Sequence, residues 1–137
     1  MQISIELIER MLESLDTHPA NFMLVSELAK SVDELSQNKN AALTGNFVSH
    51  LLHLQDLECF VNLKDEISFG YKAKKDTTTG EGFSHQHNNE FIRLTAKGRE
   101  LLDVLKSDTI SEKGKVSAMR IGGQMVTALL IKAVTGA

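Results

Sequence analysis

The chain of 137 residues has one cysteine, one proline and no tryptophan, and aromatic residues make up only 5% of it. A single thiol, Cys59, permits no disulfide within the chain, which excludes a disulfide-stapled secreted domain and favours a reducing compartment. No stretch of 18 apolar residues occurs, and only 11 uncharged residues separate Arg120 from Lys132, too few to cross a membrane. The sequence therefore predicts a cytoplasmic protein that does not span a membrane.

The motifs of the common enzyme classes are also missing. The chain has no glycine-rich phosphate loop, no Gly-x-Ser-x-Gly and no His-Glu-x-x-His. Glu6, Glu9 and Glu13 recur at helical spacing, which is typical of a solvated helix face. We therefore expect no catalytic residue, no cofactor and no enzymatic activity.

Charge is unevenly distributed along the chain, whose formal net charge is −3. Residues 1–62 hold 3 basic and 9 acidic residues, a net charge of −6. Residues 63–99 hold 7 basic and 5 acidic residues, and residues 100–137 hold 5 and 4, so these parts carry net charges of +2 and +1. Any basic surface that binds an anionic partner must come from the second half of the chain.

Hydrophobic periodicity predicts three helices in the first half of the chain, over about 3–16, 26–35 and 44–57. Ser26 has the chemistry of a cap for the second helix, and Thr44 (or Asn40) for the third. Alternation with period two then predicts strands over 59–63 and 67–71, a loop over 76–82 and a returning strand over 91–94, which together form a β-hairpin.

Two further helices are predicted, one over 96–106 with Thr95 as its cap and one over about 117–134. The order helix, helix, helix, hairpin, helix is that of the winged helix, in which helices two and three form the helix-turn-helix and the hairpin is the wing. The sequence thus predicts a mainly α fold with a β-hairpin (α+β). A winged helix-turn-helix domain would cover 1–115, and an additional C-terminal helix 116–137.

One segment resembles a known family. Residues 92–103 read IRLTAKGRELLD and continue VLKSDTI to Ile110. This is similar to the pattern LTxxGxEFLD followed by DDTIW in a family of small bacterial and prophage proteins labelled a domain of unknown function, with Leu101 where phenylalanine is usual and Ser111 where tryptophan is usual. The resemblance covers about 40 residues and implies a winged-helix fold and a mobile-element setting. Gly98 of this motif lies early in its helix, where a missing side chain would allow close approach to the wing.

The third predicted helix and the wing are the candidate DNA-binding surfaces. Polar side chains on the helix can bond base edges, and lysines on the wing can bond phosphates. No Lys or Arg stands between Lys39 and Lys64, so the helix offers little phosphate neutralisation, and a solvated structural face is the alternative. For the wing, solubility and edge protection are the alternative. The candidate DNA-binding residues are Thr44, Asn46, Ser49, His50 and His53 on the helix and Lys72, Lys74, Lys75 and Arg93 on the hairpin.

Histidines occur in two pairs. His50 and His53 share a helix face, and His85 and His87 share a strand face. The four imidazoles would hold zinc, nickel or copper if the wing folded onto the third helix. Without a CxxC-type spacing beside them, scattered polar histidines are the expectation, and no metal site is predicted.

The C-terminal helix has a broad apolar face that either packs on the first helix of its own chain or pairs with a second copy. We expect a homodimer, because small DNA-binding domains commonly read two half-sites. The interface residues would be Met119, Val126, Leu129 and Leu130.

The sequence thus favours a dimeric winged-helix protein that binds double-stranded DNA and regulates transcription for a phage or mobile element. The alternative is a winged-helix protein-interaction module, an adaptor or inhibitor, whose acidic first 62 residues engage a basic host or phage protein. The two hypotheses differ in whether basic or acidic residues surround the third helix.

Overall fold

The computed structural model describes residues 3–35, 43–75, 83–87 and 89–121, with 71–75, 83–87 and 121 described by their backbone. These residues form five helices, a three-stranded antiparallel sheet and a two-stranded one, so the expected mixed α+β class is confirmed. In chain order the elements are α1 (Ile5–Thr17), β1 (Met23–Leu24), α2 (Val25–Ser31), α3 (Gly45–Asp56), β2 (Phe60–Asn62), β3 (Tyr71–Lys75), β4 (Phe83–His87), β5 (Phe91–Leu94), α4 (Ala96–Lys106) and α5 (Glu112–Ile121).

Helix α1 begins at a side-chain cap and buries one face. The Ser4 hydroxyl accepts a hydrogen bond from the Leu7 N–H, which satisfies one of the free donors of the first turn. The helix ends at Thr17, two residues before Pro19, because the residue preceding a proline avoids the helical region. Five side chains of its inner face are buried in the core: Leu7, Ile8, Met11, Leu12 and Leu15.

Helix α2 is shorter than predicted. It starts at Val25 directly after β1, and Ser26 is not its cap, because Ser26 is bonded to Asn89 from far along the chain. The helix ends at Ser31, and Asp33 then takes a left-handed conformation with φ of 60°. Since that conformation cannot continue a right-handed helix, the predicted extension to 35 is wrong.

The first sheet has the strand order β1–β5–β2, and both pairings are antiparallel. Two helices, α2 and α3, connect β1 to β2, and the separate hairpin β3–β4 lies between β2 and β5 in the chain. The strand predicted over 67–71 is wrong. Phe69 is buried edge-on to Phe60, with ring centroids 5.9 Å apart, and Gly70 has φ of 75°, so this stretch turns the chain before β3 begins.

Gly98 joins α4 to the sheet. The Thr95 N–H donates to the carbonyl oxygen of Cys59, and the Thr95 hydroxyl accepts from the Gly98 N–H as the cap of α4. A Cβ atom at Gly98 would lie 2.4 Å from the Cys59 carbonyl oxygen and 2.5 Å from Leu94 Cδ1. The predicted role of Gly98 in close packing is confirmed, and its partner is the backbone just before β2.

Helix α5 begins at Glu112, five residues before the predicted start. Ala118 and Met119 of this helix are buried in the core, where α5 packs against α4 and α1. The remainder of the predicted C-terminal helix, from 122 to 134, lies outside the described residues. Among the described helices, none is long and apolar enough to cross a lipid bilayer.

Candidate nucleic-acid interface

The first turn of α3 presents two of the predicted DNA-binding residues, and both bond to one carboxylate. Thr44 caps the helix by accepting the Phe47 N–H, while its hydroxyl donates to Glu34 Oε2 at 2.6 Å. The Asn46 side-chain amide donates to Glu34 Oε1 at 3.1 Å. The start of the candidate recognition helix therefore carries a negative charge from the segment that precedes it.

His50 does not face outwards, so its placement among the DNA-contacting positions is wrong. The residue is fully buried, and its Nε2 accepts the backbone N–H of Ser4 at 2.9 Å. Its Nδ1 donates to the carbonyl oxygen of Asn46 at 2.7 Å. Since Ser4 caps α1, His50 joins the start of α1 to α3 through both ring nitrogens, which is a structural role.

His53 is half-buried and points towards α5, where its Nε2 bonds the carbonyl oxygen of Met119. Ser49, one turn after Asn46, is half-buried. The exposed residues of α3 are Gly45, Asn46 and Asp56, and α3 itself contains neither Lys nor Arg. The accessible face of α3 is thus small and polar, and an acidic residue lies at each of its ends: Glu34 at the start and Asp56 at the end.

The three lysines predicted to belong to a wing lie on the first strand of the two-stranded hairpin. Lys72 pairs with Gln86, Lys74 pairs with Ser84, and Lys75 pairs with the strand residue Phe83.

Arg93 lies apart from that hairpin, on β5 in the three-stranded sheet. It pairs with Val61 in the register of β2 and β5, and its Nη2 lies 3.2 Å from Asp65 Oδ1. The sequence placed Arg93 on the strand returning from the wing tip. The structure instead uses β4 for that return, and β5 pairs with β1 and β2.

No group of three potential ligands (His, Cys, Asp or Glu) is close enough to hold a metal ion within the described part of the chain. His50 and His53 each bond backbone groups, and the side chains of His85 and His87 lie outside the described residues. Cys59 is buried, and this desolvation raises the pKa of its thiol to about 12, against an ordinary value of 9.0. The thiol is therefore protonated at neutral pH and is a poor nucleophile.

The predicted dimer residues divide into two groups. Met119 is buried in the core of its own chain, only 4% exposed, so its assignment to a dimer interface is wrong. Val126, Leu129 and Leu130 lie outside the described residues. Sequence reasoning also missed Glu34, whose hydrogen bonds to Thr44 and Asn46 at the start of α3 are indicated by no local pattern.

Comparison with known proteins yields no relative: no family model, no curated protein and no solved structure matches the chain.

Proposed function

We propose that the chain is a winged-helix DNA-binding protein that regulates transcription for a phage or another mobile element. The strand order β1–β5–β2 supports this, since two helices, α2 and α3, connect β1 to β2 and the hairpin β3–β4 lies between β2 and β5 in the chain. In a winged helix, α2 and α3 correspond to the helix-turn-helix and β3–β4 to the wing.

The wing supplies the phosphate contacts in this proposal, because α3 has no cation of its own. Lys72, Lys74 and Lys75 would neutralise phosphates, while Asn46 and Ser49 are the side chains of α3 left to approach base edges. Binding would then depend strongly on salt and weakly on sequence. Thr44 and Glu34 would fix the start of α3, where Glu34 also accepts one N–H of the Asn46 amide.

Lys74→Ala tests the wing directly. We expect affinity for unrelated duplexes to fall by a similar factor for each, about threefold to tenfold, and the slope of log K against log salt to fall by about 1. Fluorescence anisotropy of labelled duplexes measures both. Lys113→Ala, an exposed lysine on α5, is the control and should leave both unchanged. A Lys74 variant with wild-type affinity and salt slope would remove the wing from the DNA contact.

The proposal includes a homodimer formed through the C-terminal segment. Val126, Leu129 and Leu130 stand at helical spacing in a stretch whose single charge is Lys132, so a second copy can bury their side chains. Light scattering on the protein at tens of micromolar should give twice the 15.1 kDa chain mass. A monomeric mass at that concentration would contradict the dimer.

A protein-interaction module is the second candidate, and two observations favour it. Glu34 and Asp56 place acid at both ends of α3, which would repel DNA. Leu63 is 61% exposed and Phe91 41% exposed beside one cavity of the sheet, an apolar surface that a partner protein could cover. If this candidate is right, the protein does not bind DNA. A partner protein that the wild type captures in a pull-down should then not be captured by the Phe91→Asp variant.

A further inference from the structure

A second cavity lies on the side of the molecule where α1 ends, β5 ends and α4 begins. Its volume is about 330 Å³, and its lining combines cationic and apolar side chains. Arg93 of β5 and Arg99 of the first turns of α4 both line this cavity, so two arginines from different elements meet at one place. The proposed DNA contacts of α3 and the wing do not use this cavity.

Each guanidinium has a carboxylate neighbour but retains further donors. Arg99 Nη2 lies 3.3 Å from Asp16 Oδ1, and Arg93 Nη2 lies 3.2 Å from Asp65 Oδ1. A guanidinium presents five N–H donors in a planar fork, and each of these ion pairs uses one nitrogen. Because both pairs are solvent-exposed, they hold the arginines weakly and an incoming anion can compete for them.

The lining bears only one acidic group, Asp16, against the two arginines. His18, the residue that follows α1, also lines the cavity. Its Nδ1 accepts the Ala20 N–H, and its Nε2 lies 3.4 Å from Glu27 Oε2. The imidazole is thus held in place by its neighbours. Among the lining residues the two arginines outnumber the one carboxylate, while Glu27 and Asp65 pair with lining residues without lining the cavity themselves.

The rest of the lining is apolar. Leu15 is buried on α1, and Phe22 and Leu94 are half-buried beside it. A ligand held here by its charged group would place its remaining atoms against these three side chains. Inorganic ions would leave that surface uncovered, so the cavity suits a molecule with a charged end and an apolar body.

We propose that this cavity binds a small organic anion, whose phosphate or carboxylate is held by Arg93 and Arg99 and whose apolar part packs on Leu15, Phe22 and Leu94. Guanidinium groups match the oxygens of such anions in bidentate geometry. The bound anion would bridge α1, β5 and α4. It would therefore stabilise the folded state, because it binds there and not to the unfolded chain.

Phenyl phosphate is the probe for a ligand with a phosphate group, and benzoate is the probe for one with a carboxylate. Inorganic phosphate is the comparison, because it has the charged group without an apolar part. We expect one aromatic probe to bind saturably by calorimetry and to raise the melting temperature by about 4 °C at ten times its Kd. Inorganic phosphate should bind at least about threefold more weakly than phenyl phosphate, because it buries no apolar surface. Arg99→Gln should weaken the aromatic probe by about tenfold, and the Arg93→Gln, Arg99→Gln double variant should abolish saturable binding.

Lys106→Gln is the matched control. Lys106 on α4 pairs with Glu13 on α1 at 3.0 Å and does not line the cavity. The substitution therefore removes an ion pair between the same two helices and leaves the cavity lining unchanged. This variant should bind the probe as the wild type does, and circular dichroism should show that all variants are folded. The proposal is overturned if no probe binds the wild type saturably, if Arg99→Gln binds as tightly as the wild type, or if Lys106→Gln loses as much affinity.

Discussion

Gly98→Ala is expected to lower the free energy of unfolding by about 2–3 kcal/mol, although alanine is the better helix former. The added Cβ would lie 2.4 Å from the Cys59 carbonyl oxygen, which itself accepts the Thr95 N–H. That oxygen belongs to the backbone just before β2 and cannot move without breaking its bond to the start of α4. Urea denaturation followed by circular dichroism measures the loss.

Gly45→Ala is the matched control for this substitution. Gly45 is the first residue of α3, and a Cβ built there meets nothing within 4 Å. We expect this variant to be neutral or more stable by about 0.5 kcal/mol, because alanine restricts the unfolded chain. Equal stability of the two variants would contradict the close approach of α4 to the sheet.

His50→Ala is expected to destabilise the protein by about 3 kcal/mol, through a cavity in the core and the loss of both hydrogen bonds. The imidazole is fully buried and joins the Ser4 N–H at the start of α1 to the Asn46 carbonyl of α3. Thermal and urea denaturation should show the loss, without DNA present.

Ser49→Ala provides the comparison on the same helix. Ser49 is half-buried, and its replacement should change stability by no more than about 0.5 kcal/mol. If His50→Ala were as stable as the wild type and instead lost affinity for DNA, His50 would be a base-reading residue and its structural role would be wrong.

Local chemistry made several elements predictable from the sequence. Thr44 and Thr95 were both expected to cap helices, and each accepts the N–H of the residue three positions later. The reason is that a threonine hydroxyl before an apolar repeat satisfies a free donor of the first turn, whatever the rest of the fold. The helices α1, α3 and α4 accordingly lie within one or two residues of their predicted bounds.

Features that depend on distant contacts were not predictable. Ser26 looks like a cap by its type, but it bonds Asn89, 63 residues away. His50 follows the spacing of an outward position, yet α1 covers it and supplies the Ser4 N–H. Alternation at 67–71 suggests a strand, whereas packing of Phe69 on Phe60 turns the chain there. In each case a tertiary contact decides the outcome.

The candidate interface was identified only in part for the same reason. Thr44 and Asn46 do lie at the start of α3, but no sequence pattern indicated that the Glu34 carboxylate would bind both. The cavity beside Arg93 and Arg99 was missed entirely, since its lining comes from α1, the turn after it, β5 and α4.

Binding of the purified protein to a random DNA duplex, followed by fluorescence anisotropy at about 50 and 200 mM salt, tests the proposed function most directly. We expect micromolar binding at the lower salt and a loss of tenfold or more at the higher salt, because about two or more phosphate contacts come from the wing. Absence of binding at the lower salt would contradict the DNA-binding proposal and leave the acid at both ends of α3 as the feature that determines its partner.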